Sequence, residues 1–234
     1  MRNPIMKKTL ATIALICFAT VSAFSQNSRS SLIEQRDKIA QKTNSFLTVK
    51  GIQLKPGLRM DTILKELESK GMSKTDLSSM VQKEYNGYTL EGTFFNCPKC
   101  SITVLPTTSN KNIVGLISIN FPLSDTFKQL KNDYENLKVA LSDKYEMSSC
   151  IEKFDNNYVN ESTSDYIKLR AIRNGEAQFQ TRFYVREAES LLMGHIVLSI
   201  SHISVDGINS EYVSLSYVTP DMVIDQLSAL EDDL

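Results

Sequence analysis

Met60, Ile63, Leu64 and Leu67 recur at i, i+3, i+4 and i+7, the spacing of one face of an amphipathic helix. Gly71 suits the residue just past its last turn, so this helix is predicted to end near Lys70. The period then changes to two. Segment 88–95 puts Tyr88, Leu90 and Phe94 on one side, 101–106 does so with Ile102 and Val104, and 112–121 with Ile113, Ile117, Ile119 and Phe121. Asn86-Gly87 before the first run and the polar 107–112 between the last two are turn signals. A longer helix follows, with Phe127, Leu130, Tyr134, Leu137, Leu141 and Tyr145 stepping by three and four. Ser124 suits its N-cap and Asp125 its first turn.

Strand patterns return at 164–174, 177–187, 194–203 and 212–218, with Gly175-Glu176 as a short turn between the first two. In 177–187 the side chains divide cleanly. Ala177, Phe179, Thr181, Phe183 and Val185 face one way, and Gln178, Gln180, Arg182, Tyr184 and Arg186 the other. A sheet with one dry and one wet face is antiparallel. Segment 219–234 reads as a short helix, with Thr219 as N-cap and Pro220 at the first helical position. Helix then strands, twice over, predicts an α+β fold: two tandem helix-plus-antiparallel-sheet units, 46–121 and 122–234, with helices packed on one sheet face.

Ahead of these units the chain changes character. Arg2, Lys7 and Lys8 precede an apolar run from about Leu10 to Val21, and Ala23 and Ser25 are small residues before Gln26. This is the form of a secretory signal peptide, residues 1–25, cleaved near Ser25-Gln26. The apolar run is shorter than the ~20 residues a membrane span needs, so no transmembrane segment is expected in the mature chain. Leu15 and Ile16 before Cys17 are too large for a lipobox, which argues against lipid anchoring. Residues 26–45 form a polar leader. Cleavage takes three basic and no acidic residues from totals of 26 and 27, leaving 23 against 27 and a net charge of −4. That balance gives no footprint for nucleic acid.

Segment GIQLKPGLRMDTILKELESKGM with the later LEGTF, and YENLKVALSDKYEM with the strands after it, resemble small secreted proteins of unknown function from Gram-negative bacteria. The helix-then-sheet unit used twice is similar to the tandem fold of β-lactamase-inhibitor proteins. Used once, it is similar to the small outer-membrane-assembly lipoproteins. Where those families open the helix with Gly-Met-Thr, this chain has Leu58-Arg59-Met60. The resemblance implies a protein that binds other proteins and catalyses nothing. It assigns no site residue.

Chemistry is sparse. Cys97-Pro98-Lys99-Cys100 runs straight into the strand-like 101–106, so no helix N-terminus follows to activate a thiolate. Cys97 and Cys100 would form a local disulfide, or one of them would reach Cys150. A thiol redox role for Cys97 and Cys100 is the first rival, and a small-ligand or Ca²⁺ carrier the second. Asp155-Asn156-Asn157 and Asp206-Gly207-Ile208-Asn209 are oxygen-rich but lack EF-hand spacing. His202 falls on the apolar side of its strand with Ile196, Leu198 and Ile200, and reads as a core histidine; His195 reads as solvent-facing. The two histidines and the three cysteines left after the expected cleavage make no zinc site at this spacing. No catalytic residue, cofactor or metal is expected. The wet face of 177–187, with Arg182, Tyr184 and Arg186, together with Lys168 and Arg170 on the neighbouring 164–174 run, is the expected binding patch, since interfaces favour Tyr and Arg. The sequence thus predicts a secreted or periplasmic, non-enzymatic protein that binds another envelope or secreted protein.

Overall fold

The computed structural model describes residues 28–155, 158–160, 162–205 and 208–232. The segment expected to be a signal peptide, 1–25, and Asn156, Asn157, Asp206 and Gly207 lie outside the described residues. Helix α1 (Arg29–Thr43) and a two-stranded hairpin, β1 (Thr48–Val49) and β2 (Ile52–Gln53), lead into the main body. There the order α2 (Met60–Ser69), β3 (Ser73–Lys74), α3 (Leu77–Tyr85), β4 (Tyr88–Phe94), β5 (Cys97–Pro106), β6 (Val114–Asn120) is followed by the same succession: α4 (Phe127–Ser142), β7 (Glu146–Phe154), α5 (Asp165–Arg173), β8 (Ala177–Tyr184), β9 (His195–Val205), β10 (Ile208–Val218). Helix α6 (Pro220–Asp232) is the last described element.

All ten described strands pair antiparallel, eight of them in one sheet of order β3-β4-β5-β6-β10-β9-β8-β7. Each unit lays its strands down in sequence order. The units join through their last strands, β6 and β10, so one unit is turned end for end against the other. Ser118↔Ser216 and Ile117↔Tyr217 are pairs of that seam.

The amphipathic helices α2 and α4 build the larger core. Met60, Ile63, Leu64 and Leu67, then Phe127, Leu130, Tyr134, Leu137 and Leu141, are all buried. They pack on sheet residues such as Leu90, Ile102, Ile117, Leu215, Leu198 and Phe183. Tyr134 carries its hydroxyl into this core and satisfies it on Thr181 Oγ1 at 2.6 Å. Thr126 caps α4 in place of the expected Ser124, its Oγ1 accepting from the Gln129 amide at 3.2 Å. A smaller cluster lies against one end of the opposite face. Leu105, Leu116 and Val218, neighbours across β5, β6 and β10, meet Leu32 of α1 and Val223, Ile224 and Leu227 of α6.

Three elements differ from the sequence expectation. Residues 165–173 of this segment are helix α5, with Leu169 and Ile172 buried, and Gly175 (φ +73) is the left-handed residue just past its C-cap Asn174, not a hairpin turn. Residues 146–154 form β7, an edge strand exposed along most of its length, which no apolar alternation marks. The polar link between α2 and β4 contains α3, ended by Asn86 in the left-handed region (φ 54).

Candidate functional site

The sheet face turned away from α2 and α4 carries mostly polar side chains beside the area that α1 and α6 cover, with Val197 and Ile151 as apolar members. One row across it runs Thr89, Thr103, Ser118, Ser216, Val197, Arg182, Ser149, each the registered partner of the next. The row beside it runs Ser101, Asn120, Ser214, Ser199, Gln180. Hydroxyls here satisfy one another: Ser118 Oγ lies 3.2 Å from Ser216 Oγ, and Ser214 Oγ donates to Asn120 Oδ1 at 3.1 Å. Both units contribute to this surface.

At one end the face dips into a cavity of about 130 Å³, lined by Ser148, Ser149, Arg182, Tyr184, Glu189, Ser190, Leu191 and His195. Local sequence explains it. Ser148 is an extra residue in β7 between the pairs Met147↔Phe183 and Ser149↔Arg182, a bulge that bends the edge strand where it borders the cavity. On the other side, Ser190 Oγ accepts from the Leu192 amide at 3.2 Å and starts a tight 3₁₀ turn, Leu191–Met193. Gly194 ends that turn at φ +85, and a Cβ there would meet Val218 O at 2.5 Å, so only glycine lets the chain enter β9 this close to β10. His195 therefore starts β9 beneath the turn and opposite Val218.

His195 and Arg182 are 7 % and 6 % exposed. Both ring nitrogens of His195 are buried without a hydrogen-bond partner among the described residues. Burial, reinforced by the Arg182 charge, pushes its imidazole down to about 4, so it is neutral at pH 7. The two histidines thus exchange their expected roles. His195 lies on the polar face but is covered by the 190–194 turn. His202 is exposed, because β9 pairs with β8 only through 195–199 and its distal half overhangs.

The expected patch divides. Arg182 and Tyr184 share the cavity. Arg186 lies outside β8 in an exposed 3₁₀ turn, pairing with Glu146 at 3.3 Å and donating to Ser142 O. Lys168 and Arg170 belong to α5, whose Leu169 and Ile172 join the core on the other side of the sheet. Lys168 is buried there, its Nζ 5.4 Å from the Phe127 ring centroid, and Arg170 is exposed. Helical spacing, not strand alternation, sets where these two side chains go, and the sheet separates them from Arg182.

All three described cysteines are free thiols. Phe95 and Asn96 (φ 46 and 60) make a two-residue hairpin turn, and Cys97-Pro98-Lys99-Cys100 opens β5 with a bulge opposite Thr93. Cys100 is fully buried, and burial with Cys97 beside it pushes its thiol up to about 12. Five strand steps separate β5 from β7, about 24 Å at 4.8 Å each. A bond between Cys150 and Cys97 or Cys100 is therefore excluded. Cys150 instead joins a charged cluster, donating to Glu152 Oε1 at 3.2 Å, while Lys131 and Lys138 of α4 clasp the same carboxylate. Burial alone would raise the pKa of Glu152, but hydrogen bonds from the two lysines outweigh it and hold the group down at about 2. Among the described residues no three His, Cys, Asp or Glu side chains gather as a metal site. No described helix is long and apolar enough to cross a membrane. No protein-family model, curated protein or solved structure matches the chain.

Proposed function

We propose that this is an exported, non-enzymatic binding protein of the cell envelope, and that its polar sheet face engages another protein. The observation that carries this is the Ser/Thr/Asn/Gln face assembled from both units, buried at its centre at Ser118, Ser199, Ser214 and Ser216 and accessible as half-buried positions at Ser101, Thr103, Asn120 and Gln180, with Tyr184 at its end. Short hydroxyl side chains have few rotatable bonds to immobilise when covered, and hydroxyls and amides offer hydrogen bonds in both directions. Export follows from the signal-like segment 1–25, and protein binding agrees with the resemblance to tandem inhibitor proteins. A thiol redox role fits poorly, because Cys100 is buried in a strand with its thiolate disfavoured.

Arg182 is buried, so reversing its charge would test folding more than binding. Photo-crosslinking amino acids at Gln180 and Ser101, with Lys65 on the outer side of α2 as control, test the surface directly. The expected result is one crosslinked species in the native envelope, common to Gln180 and Ser101 and absent at Lys65. No species at the sheet positions, or the same species at all three, would remove the face as a binding surface.

A further inference from the structure

In a regular strand, residues three apart face opposite sides of the sheet. Cys97 and Cys100 do not, because Pro98 and Lys99 together stand opposite Thr93, with Lys99 in the left-handed region (φ 59). This bulge returns both thiols to the core side of β5. Their registered partners on β4, Phe94 and Gly92, are two apart and share that side. Cys100 Sγ donates to Cys97 O at 3.3 Å, and the two side chains also interact directly. Gly92, opposite Cys100, has no side chain, and the space above it holds Met72 Sδ, 2.3 Å from where a Cβ would stand. Buried Met72, just before β3, thus lays its thioether across β4 towards Cys100. A cation stands beside them. Lys50 of the β1–β2 turn donates to Thr93 O at 2.9 Å, and its charge favours the Cys100 thiolate.

We propose that Cys97, Cys100 and Met72 together bind one soft monovalent cation, Cu(I). Thiolate and thioether donors select Cu(I), whereas a structural Zn(II) site takes four ligands. No third His, Cys, Asp or Glu gathers with the two cysteines among the described residues, so the donor set is all sulfur. Binding exchanges protons for the ion: one Cu⁺ enters, both thiols lose their protons, and the centre carries one net negative charge. The Lys50 ammonium offsets that charge. The ion itself drives the ionisation that burial opposes, since a coordinating thiol is deprotonated outright. Cys97 is half-buried, so the ion is taken up at its sulfur and passes inward to Cys100 and Met72 as one sulfur ligand replaces another. The three sulfurs lie on the core side of the sheet, so this inference goes beyond the protein-binding face and does not depend on it.

The mature chain, fully reduced and kept under argon, is titrated with Cu(I) buffered by bicinchoninate, whose coloured Cu(I) complex reads how much the protein withdraws. The expected result is one equivalent per chain, held more tightly as pH rises because protons are released. Cys97→Ser, at a half-buried position, is expected to abolish the withdrawal. Cys150→Ser is expected to leave it unchanged, since about 24 Å separates β7 from β5. Met72→Leu keeps the size and apolar character of the side chain and is expected to weaken retention by about tenfold, the scale of losing a supporting group at a metal site. Circular dichroism checks that each variant is folded. In the chain labelled with selenomethionine, X-ray absorption at the copper edge should show sulfur neighbours and one selenium, and the selenium should vanish in Met72→Leu. A parent chain that withdraws no Cu(I), equal withdrawal by folded Cys97→Ser, loss of it in folded Cys150→Ser, or a copper centre without selenium would each overturn the proposal. Because Cu(I) is read on the isolated chain and protein crosslinking at Gln180 and Ser101 in the envelope, either proposal can fail without the other.

Discussion

Arg29, at the start of α1, places its guanidinium 2.6 Å from the carboxylate of Asp225 in α6, although 196 positions separate them in the chain. Asp225 is 4 % exposed and also accepts from the Ser109 amide and hydroxyl, both at 2.8 Å, and from Thr108 Oγ1 at 2.9 Å. One carboxylate thus ties the leader helix, the β5–β6 loop and the last helix together. A second tie runs parallel, with Asp221 accepting from Arg36 and from the Gly57 amide, each at 2.7 Å.

Asp225→Ala is expected to destabilise the protein by about 3 kcal/mol, since it strands buried donors around the vacated site. Arg29→Ala is expected to cost about 1 kcal/mol or less, because that guanidinium is nearly half exposed. Burial alone would raise the pKa of Asp225, but the Ser109, Arg29 and Thr108 hydrogen bonds outweigh it and hold it below the usual range. A depressed carboxylate stabilises above its unfolded value near 3.9 and loses that contribution as pH falls below it. Urea unfolding at pH 7 and pH 3 checks both points: the cost of Asp225→Ala should shrink at pH 3.

His195 gives a pH dependence in a different window. Its folded value of about 4 lies below the ordinary 6.5, so between these the unfolded chain binds a proton that the native chain refuses. Stability therefore falls as pH drops from about 6.5 to 4 and takes no further loss from this group below that. The full effect is on the order of 3 kcal/mol at 1.36 kcal/mol per unit. His195→Leu should flatten this part of the stability curve relative to the parent chain. Equal slopes in the two proteins would mean that His195 is not buried neutral.

Tyr134 and Thr181 join α4 to β8 by a hydroxyl pair within the core, at 2.6 Å. Tyr134→Phe leaves Thr181 with one partner fewer in a dry site and should cost about 1–2 kcal/mol. Thr181→Val should cost a similar amount, leaving the phenol stranded. Both changes together should cost clearly less than their sum, because neither polar group is then left behind. Denaturant unfolding of the four proteins closes the cycle, and strict additivity would mean that the two groups do not interact.

How far the sequence carried depends on what each segment buries. Helices α2 and α4 were legible because each lays a full apolar stripe on the sheet, and β4, β5, β6, β9 and β10 because one face of each is dry. Strand β7 was not, since an edge strand with solvent on most positions has no reason to alternate. Helix α5 was misread because Tyr166, Lys168 and Arg170 imitate a period of two. Its own charge pattern could have identified it, with Asp165 in the first turn and Arg170 and Arg173 in the last. The cavity lay beyond reach for a different reason: it needs the Ser148 bulge, the turn ended by Gly194 and the β8–β9 register together, and none of these marks His195 as buried on its own.

The three described cysteines offer a last check, because their surroundings order their reactivity. Cys150 is exposed on the edge strand, Cys97 is half-buried beside the Phe95-Asn96 turn, and Cys100 is fully buried with its Sγ 3.3 Å from Cys97 O. The thiolate is the reacting form, and a thiol at about 12 is ionised only to about one part in 10⁴ at pH 8. In the reduced, folded protein iodoacetamide should therefore modify Cys150 first, Cys97 second, and Cys100 only as the chain unfolds. Peptide mass spectrometry after timed quenching reads the order. After air oxidation, any intramolecular bridge should join Cys97 to Cys100 and leave Cys150 alkylatable, because about 24 Å separates the strands that carry them. A Cys100 that reacted first would instead mark a nucleophilic thiol at the head of β5, and the binding-protein proposal would then have to yield to thiol chemistry.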